Sequence, residues 1–172
     1  MSAVLDSELE ALLADWDGRT VAGLAAFHAR RKASPGLVEA CLARLGDPAR
    51  AAGASWLLKR HLETVTPPDE AMARHLCRAL ARAPDWQSRL HLLQALDLVN
   101  TLPADCCEAL RDMVTPLLAD RHKFTRAWAF NALGLLARAR PDWRPALRQR
   151  LEQGLGEESG AVAARIRRLL QD

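Results

Sequence analysis

The sequence predicts an all-α protein made of stacked helical hairpins, about five antiparallel helix pairs in a row. Three observations lead there. Apolar residues recur at three- and four-residue spacing, as in Leu90, Leu93, Leu96 and then Val99 or Thr101, and again in Ala129, Ala132, Leu133 and Leu136. Strand signals are absent: there is no Tyr, few residues are β-branched, and no alternating run occurs. Breakers fall at short intervals, so each helix is brief and its neighbour folds back against it.

The breakers place the elements. Ser34-Pro35, Asp47-Pro48 and Thr66-Pro67 each read as an N-cap followed by proline at the first helical position, where its missing N–H has no partner to lose. Pro84-Asp85, Pro103, Pro141 and the stretch 157–160 mark later breaks. Ten helices follow, over 4–16, 20–32, 36–45, 48–63, 68–82, 86–100, 104–119, 122–138, 142–153 and 160–171. No linker or low-complexity segment interrupts them, so residues 1–172 read as one domain.

Composition narrows the function classes. With 49% hydrophobic and 26% charged residues, the chain has the balance of an ordinary soluble protein. No apolar run approaches the length that spans a bilayer, which argues against a membrane protein. The first ten residues carry Asp6, Glu8 and Glu10 and no basic residue, the reverse of a secretory leader, so a cytoplasmic location is expected.

Cys41, Cys77, Cys106 and Cys107 match no zinc spacing, and they read as small buried apolar residues. His75 and Cys77 are two apart and point to different helix faces. His28, His61, His75, His91 and His122 share no ligand spacing with carboxylates. There is no glycine-rich phosphate loop and no Gly-x-Ser-x-Gly. The expectation is a non-enzymatic protein without metal or cofactor. Charge is unevenly spread: residues 121–172 hold 11 Lys/Arg against 5 Asp/Glu, whereas residues 1–120 hold 13 against 16. A basic end of this kind suits an anionic partner, and equally a solvated arginine-rich helix.

The decisive pattern is a repeat. Ser88 to Leu96 aligns with Thr125 to Leu133 at an offset of 37 residues, with apolar and polar classes agreeing almost throughout. The same offset carries Ala129 and Leu133 onto Ile166 and Leu170, and an offset of 39 carries Arg89 and Leu96 back onto Arg50 and Leu57. A period of this size holds two helices and their turns. One such hairpin cannot bury its apolar face alone, so stacking is required.

Asp47 with Arg50, Asp85 with Arg89, and Asp120 with Arg126 resemble the acidic turn and early arginine of the second helix in HEAT repeats. The resemblance covers residues 36–172 best, and the last unit departs in placing Ala163 where the arginine would be. It implies a right-handed α-α superhelix, a HEAT-like α-solenoid, whose second helices line a concave side. Those arginines would pair with the turn acids as an inter-repeat ladder. The repeat-equivalent residues Ser55, His91, Gln94, Trp128, Asn131, Arg165 and Arg168 would then cross the concave side, with Lys59 and Asp97 one helical step further on. Such a row suits recognition of a protein or peptide partner. It also suits a structural role, with the amides spent on inter-repeat hydrogen bonds and Trp128 in the core.

A narrower resemblance is to the HEAT-like alkylpurine DNA glycosylases, which set an aspartate among tryptophans in a basic groove. It implies nucleic-acid binding through the basic C-terminal repeats, with Trp128 and Asp97 near the groove. No helix here carries the Trp-x-x-x-Asp arrangement, so no catalytic residue transfers. Of the other tryptophans, Trp86 and Trp143 share a Pro-Asp-Trp helix start, and Trp16 and Trp56 read as core.

Overall fold

A computed structural model describes residues 3–171, and ten α-helices account for most of them. They are α1 (Ala3–Asp15), α2 (Ala22–Arg31), α3 (Leu37–Ala43), α4 (Ala51–Thr64), α5 (Glu70–Leu80), α6 (Trp86–Leu96), α7 (Ala104–Leu117), α8 (Lys123–Ala139), α9 (Arg144–Glu157) and α10 (Gly160–Gln171). A short 3-10 turn, Pro141–Trp143, precedes α9. Among the described residues there is no strand.

Each odd-numbered helix packs on the even-numbered helix that follows it. The even helices also pack on one another in sequence, α2 on α4, α4 on α6, α6 on α8 and α8 on α10. Among the odd helices, α1 meets α3 and α5 meets α7. The even layer is therefore the more enclosed, and α8 touches α6, α7, α9 and α10 at once. Its enclosure shows in the sequence of α8, where Ala129, Phe130, Ala132, Leu133, Leu135 and Leu136 are all buried. Buried apolar side chains run without a break from Leu5 to Ile166.

Local chemistry explains most of the boundaries and corrects several. The side chains of Asp69 and Asp85 are the working N-caps: Asp69 accepts from the Met72 amide and Asp85 from the Ser88 amide, both at 2.8 Å. Thr66 therefore does not cap α5, which begins at Glu70 rather than at 68. Asp47 folds a tight turn instead of capping, accepting from the Ala49 amide at 2.9 Å, and α4 starts only at Ala51. Before α3 the chain turns through Gly36 at φ +86°, a left-handed conformation that suits glycine, so Ser34 is not its cap. Helix α6 ends at Leu96 rather than 100, because the chain tightens there into i to i+3 bonds from Leu98 to Ala95 and from Val99 to Leu96. Its buried row is Leu92, Leu93, Ala95 and Leu96, while Leu90 is half-exposed.

The expected arginine ladder exists with different partners. Arg89 reaches Asp120, the turn acid of the following pair, at 3.7 Å, and Arg126 reaches Glu158, again one pair ahead. Asp85 and Asp47 are spent on their own turns. Arg50 runs the other way, to Glu10 on α1 at 2.7 Å. The acidic face of α1 is used throughout: Asp6 meets Arg44 at 2.9 Å, and Glu8 meets Arg31 of α2. Arg31 holds the Glu8 carboxyl below its usual range, and Arg50 with Arg44 does the same for Glu10.

Gly154 of α9 faces the Phe130 ring of α8. A Cβ there would lie 2.5 Å from Cζ of that ring and closer still to Cε1, and Phe130 is 1% exposed. Overpacking of this kind costs about 1–3 kcal/mol, whereas alanine gains about 1 kcal/mol of helix propensity over glycine. The steric term wins. Gly154→Ala therefore lowers the midpoint of thermal unfolding, read by circular dichroism, although it replaces a poor helix former with the best one. An unchanged or raised midpoint would show that α9 has room to shift.

Candidate functional site

The residues proposed for the second helices fall along the even layer, and the structure joins most of them into a chain of polar contacts. At its first joint, Ser55 of α4 meets His91 of α6, with Oγ to Nδ1 at 3.1 Å. The Ser55 hydroxyl donates to the Ala52 carbonyl at 3.0 Å. The His91 ring also bonds the Ala52 carbonyl, and the imidazole tautomer sets which partner donates in the Ser55–His91 contact. Burial first, and then the nearby Lys59 ammonium, push the His91 pKa down to about 4, so the ring is neutral in the fold. Lys59 itself pairs with Glu63 at 3.0 Å.

A Ser–His contact can in principle supply a nucleophile and its base. Here Ser55 is 1% exposed and its proton points at a backbone carbonyl. The pair is a joint between helices.

The second joint spans three helices. Asn131 of α8 donates from Nδ2 to the Asp97 carboxylate at 2.6 Å. Its Oδ1 accepts from Arg165 Nη1 of α10 at 2.8 Å. One buried amide thus links an acid at the end of α6 to a guanidinium on α10. The Arg165 guanidinium also sits over the Trp128 ring, 4.0 Å from the centroid. Burial pushes the Arg165 pKa below its ordinary value. Gln94 is half-buried, and Arg168 is exposed one turn beyond Arg165. Trp128 is half-buried against the core, so it is neither wholly core nor free.

Three further features have weaker sequence signals. Trp143 lies between two guanidiniums, Arg140 at 4.2 Å and Arg111 at 4.6 Å from its ring centroid. Trp86 stacks on His122 with centroids 4.5 Å apart. Arg111 with Trp143 and Trp86 with His122 join segments distant in the chain, so spacing cannot reveal them, whereas Arg140 lies three residues before Trp143. The third is a cavity of about 540 Å³ between α8, α9 and α10, rimmed by Arg138, Arg144 and Arg148. The four-residue step from Arg144 to Arg148 was its visible trace.

The cysteines are all buried and free. Burial pushes the Cys41 and Cys77 thiols up to about 12, which leaves them unreactive as nucleophiles. Among the described residues no group of three or more His, Cys, Asp or Glu is placed to hold a metal ion. No helix among them is long and apolar enough to cross a membrane. Comparisons with protein-family models, curated proteins and solved structures give no match.

Two measurements test this geometry. Asn131→Leu leaves Asp97 and Arg165 without their bridge, and its cost in urea unfolding is about 1–3 kcal/mol; a neutral result would mean water replaces the amide freely. His91 contributes a pH dependence whose sign is set by its lowered pKa. Above pH 6.5 the ring is neutral folded and unfolded and has no effect. As pH falls from 6.5 toward about 4, the unfolded chain takes the proton first and stability drops, by at most about 1.4 kcal/mol per pH unit. The urea midpoint of the wild type should fall more steeply over that range than that of His91→Gln, and parallel curves would contradict the buried neutral ring.

Proposed function

We propose that this chain is a non-enzymatic binding module, a HEAT-like α-solenoid that takes a protein or peptide segment across the face formed by its even helices. The single observation that carries the reading is the contact chain Asp97–Asn131–Arg165–Trp128. It puts an acid, a guanidinium and an indole side by side over three helices. Structural use consumes the middle of that chain, since Asn131 is 8% exposed and both ends of its amide are engaged. The edges of the indole, the outer carboxylate oxygen of Asp97 and the exposed Arg168 remain for a partner. Trp and Arg are the side chains that most often anchor such interfaces.

The solenoid reading rests on the offset of the contacts. Ser55 to His91, Asp97 to Asn131 and Asn131 to Arg165 are separated by 36, 34 and 34 residues. A nearly constant offset between successive even helices is what a stacked repeat of about 37 residues requires.

A second reading, nucleic-acid binding, is favoured by one observation, the clustering of Arg138, Arg144 and Arg148 on the basic C-terminal segment. The two readings separate by salt. Binding driven by phosphate contacts weakens steeply as salt rises, and a duplex that fails to shift the protein's mobility at low salt removes this second reading.

The direct test is selection of a displayed random-peptide library on the purified protein. Selected peptides should lose at least about tenfold in affinity on Trp128→Ala and weaken on Arg168→Glu, while both variants keep the helical circular-dichroism spectrum. Peptides indifferent to Trp128 would place the partner elsewhere.

A further inference from the structure

The cavity between the C-terminal ends of α8 and α10 and the first half of α9 is set apart from the ladder by its chemistry. Its volume, about 540 Å³, lies in the range of sites for small ligands. Its apolar lining includes Leu151, Leu169 and Leu170, and no carboxylate of a described residue lines it. Its polar wall is three guanidiniums, Arg138, Arg144 and Arg148.

The arginines are positioned by the fold rather than by acids inside the cavity. Arg144 Nε donates to the Ala137 carbonyl at 2.9 Å, which aligns the side chain, and its terminal nitrogens have no partner among the described residues. Arg148 is held at 3.4 Å to the Leu170 carbonyl and at 3.1 Å to Glu152, whose carboxylate stands outside the lining. Among the described residues the acid that Arg138 meets is Asp97, at 4.0 Å. Three like charges over one apolar floor repel each other, and a single anion among them relieves that repulsion. A planar carboxylate also matches the paired N–H groups of a guanidinium.

We infer that this cavity is a binding site for a small amphiphilic carboxylate, its apolar chain against Leu151, Leu169 and Leu170 and its head group among Arg138, Arg144 and Arg148. The charge of the rim excludes an amphiphilic cation, and the unmet donors disfavour a neutral alcohol of the same chain. The site adjoins the peptide face, since Arg138 lies 4.0 Å from Asp97, but it takes a different ligand and is tested by different variants.

The experiment is calorimetric titration of the full chain with monomeric decanoate, decanol and decyltrimethylammonium. Decanoate binds saturably at one site, decanol at least about tenfold more weakly, and the cation not at all. Arg144→Gln with Arg148→Gln weakens decanoate about tenfold or more and leaves decanol unchanged. Ala137→Phe, which fills the cavity, abolishes binding of both while the helical spectrum persists. Equal affinity for decanoate and decanol would overturn the inference. So would full decanoate affinity in the double arginine variant, or binding only to anionic phospholipid vesicles with none to monomeric decanoate.

Discussion

A pair of helices with apolar residues on two faces cannot stand alone in water, because packing one face on the partner leaves the other wet. The even helices of this chain are built that way. In α8 the residues from Ala129 to Leu136 leave only Gly134 incompletely buried, and neighbouring helices cover it on four sides. Everything else follows from that enclosure. The turns must be short, the glycine at 154 must accept the Phe130 ring, and a polar group in the even layer is costly unless it finds a partner inside it.

Two groups of polar contacts in the even layer meet that demand, whereas His28 Nε2, His61 Nδ1 and Thr125 Oγ1 are buried there without a hydrogen-bond partner among the described residues. Ser55 and His91 satisfy one another, and Asn131 uses both ends of its amide between Asp97 and Arg165. An apolar residue at these positions could pack as well, yet it would not select a register between neighbouring helices. Hydrogen bonds with fixed donors and acceptors do select one. The outer arginines work at the turns, Arg89 and Arg126 reaching toward the next pair and Arg50 back to α1, and partly exposed ion pairs of that kind are worth about 0–1 kcal/mol each. Their contribution is to alignment more than to stability.

How much of this could be read in the sequence depends on the range of the interaction. Helix existence was legible because periodicity is local, and all ten helices are present. Boundaries were less so: a proline after Thr66 or Asp47 looked like a helix start, but the turn closed first and the helix began later. The alignment of Gln94 with Asn131 and of His91 with Trp128 pairs residues of α6 with residues of α8, two helices that pack on each other. It did not say which would touch. Asn131 found a charged residue on each side, whereas Trp128 found a guanidinium from the following helix. Those contacts depend on rotamers and on the small shifts between 34 and 37 residues, which no spacing rule resolves. The arginine cavity was out of reach for the same reason, since it is assembled from three helices.

Placing the indole, acid and guanidinium together gives the proposed binding face its character: half-committed groups, held in place by their neighbours and open on one side. Preorganisation of that sort lowers the entropy a partner must lose on docking. Hydrogen–deuterium exchange with and without a selected peptide addresses this most directly. The account predicts slowed exchange in α6, α8 and α10, centred on the segments carrying Asp97, Trp128 and Arg165, with α3, α5 and α7 unchanged. Protection confined to the odd helices, or none along α8, would contradict it.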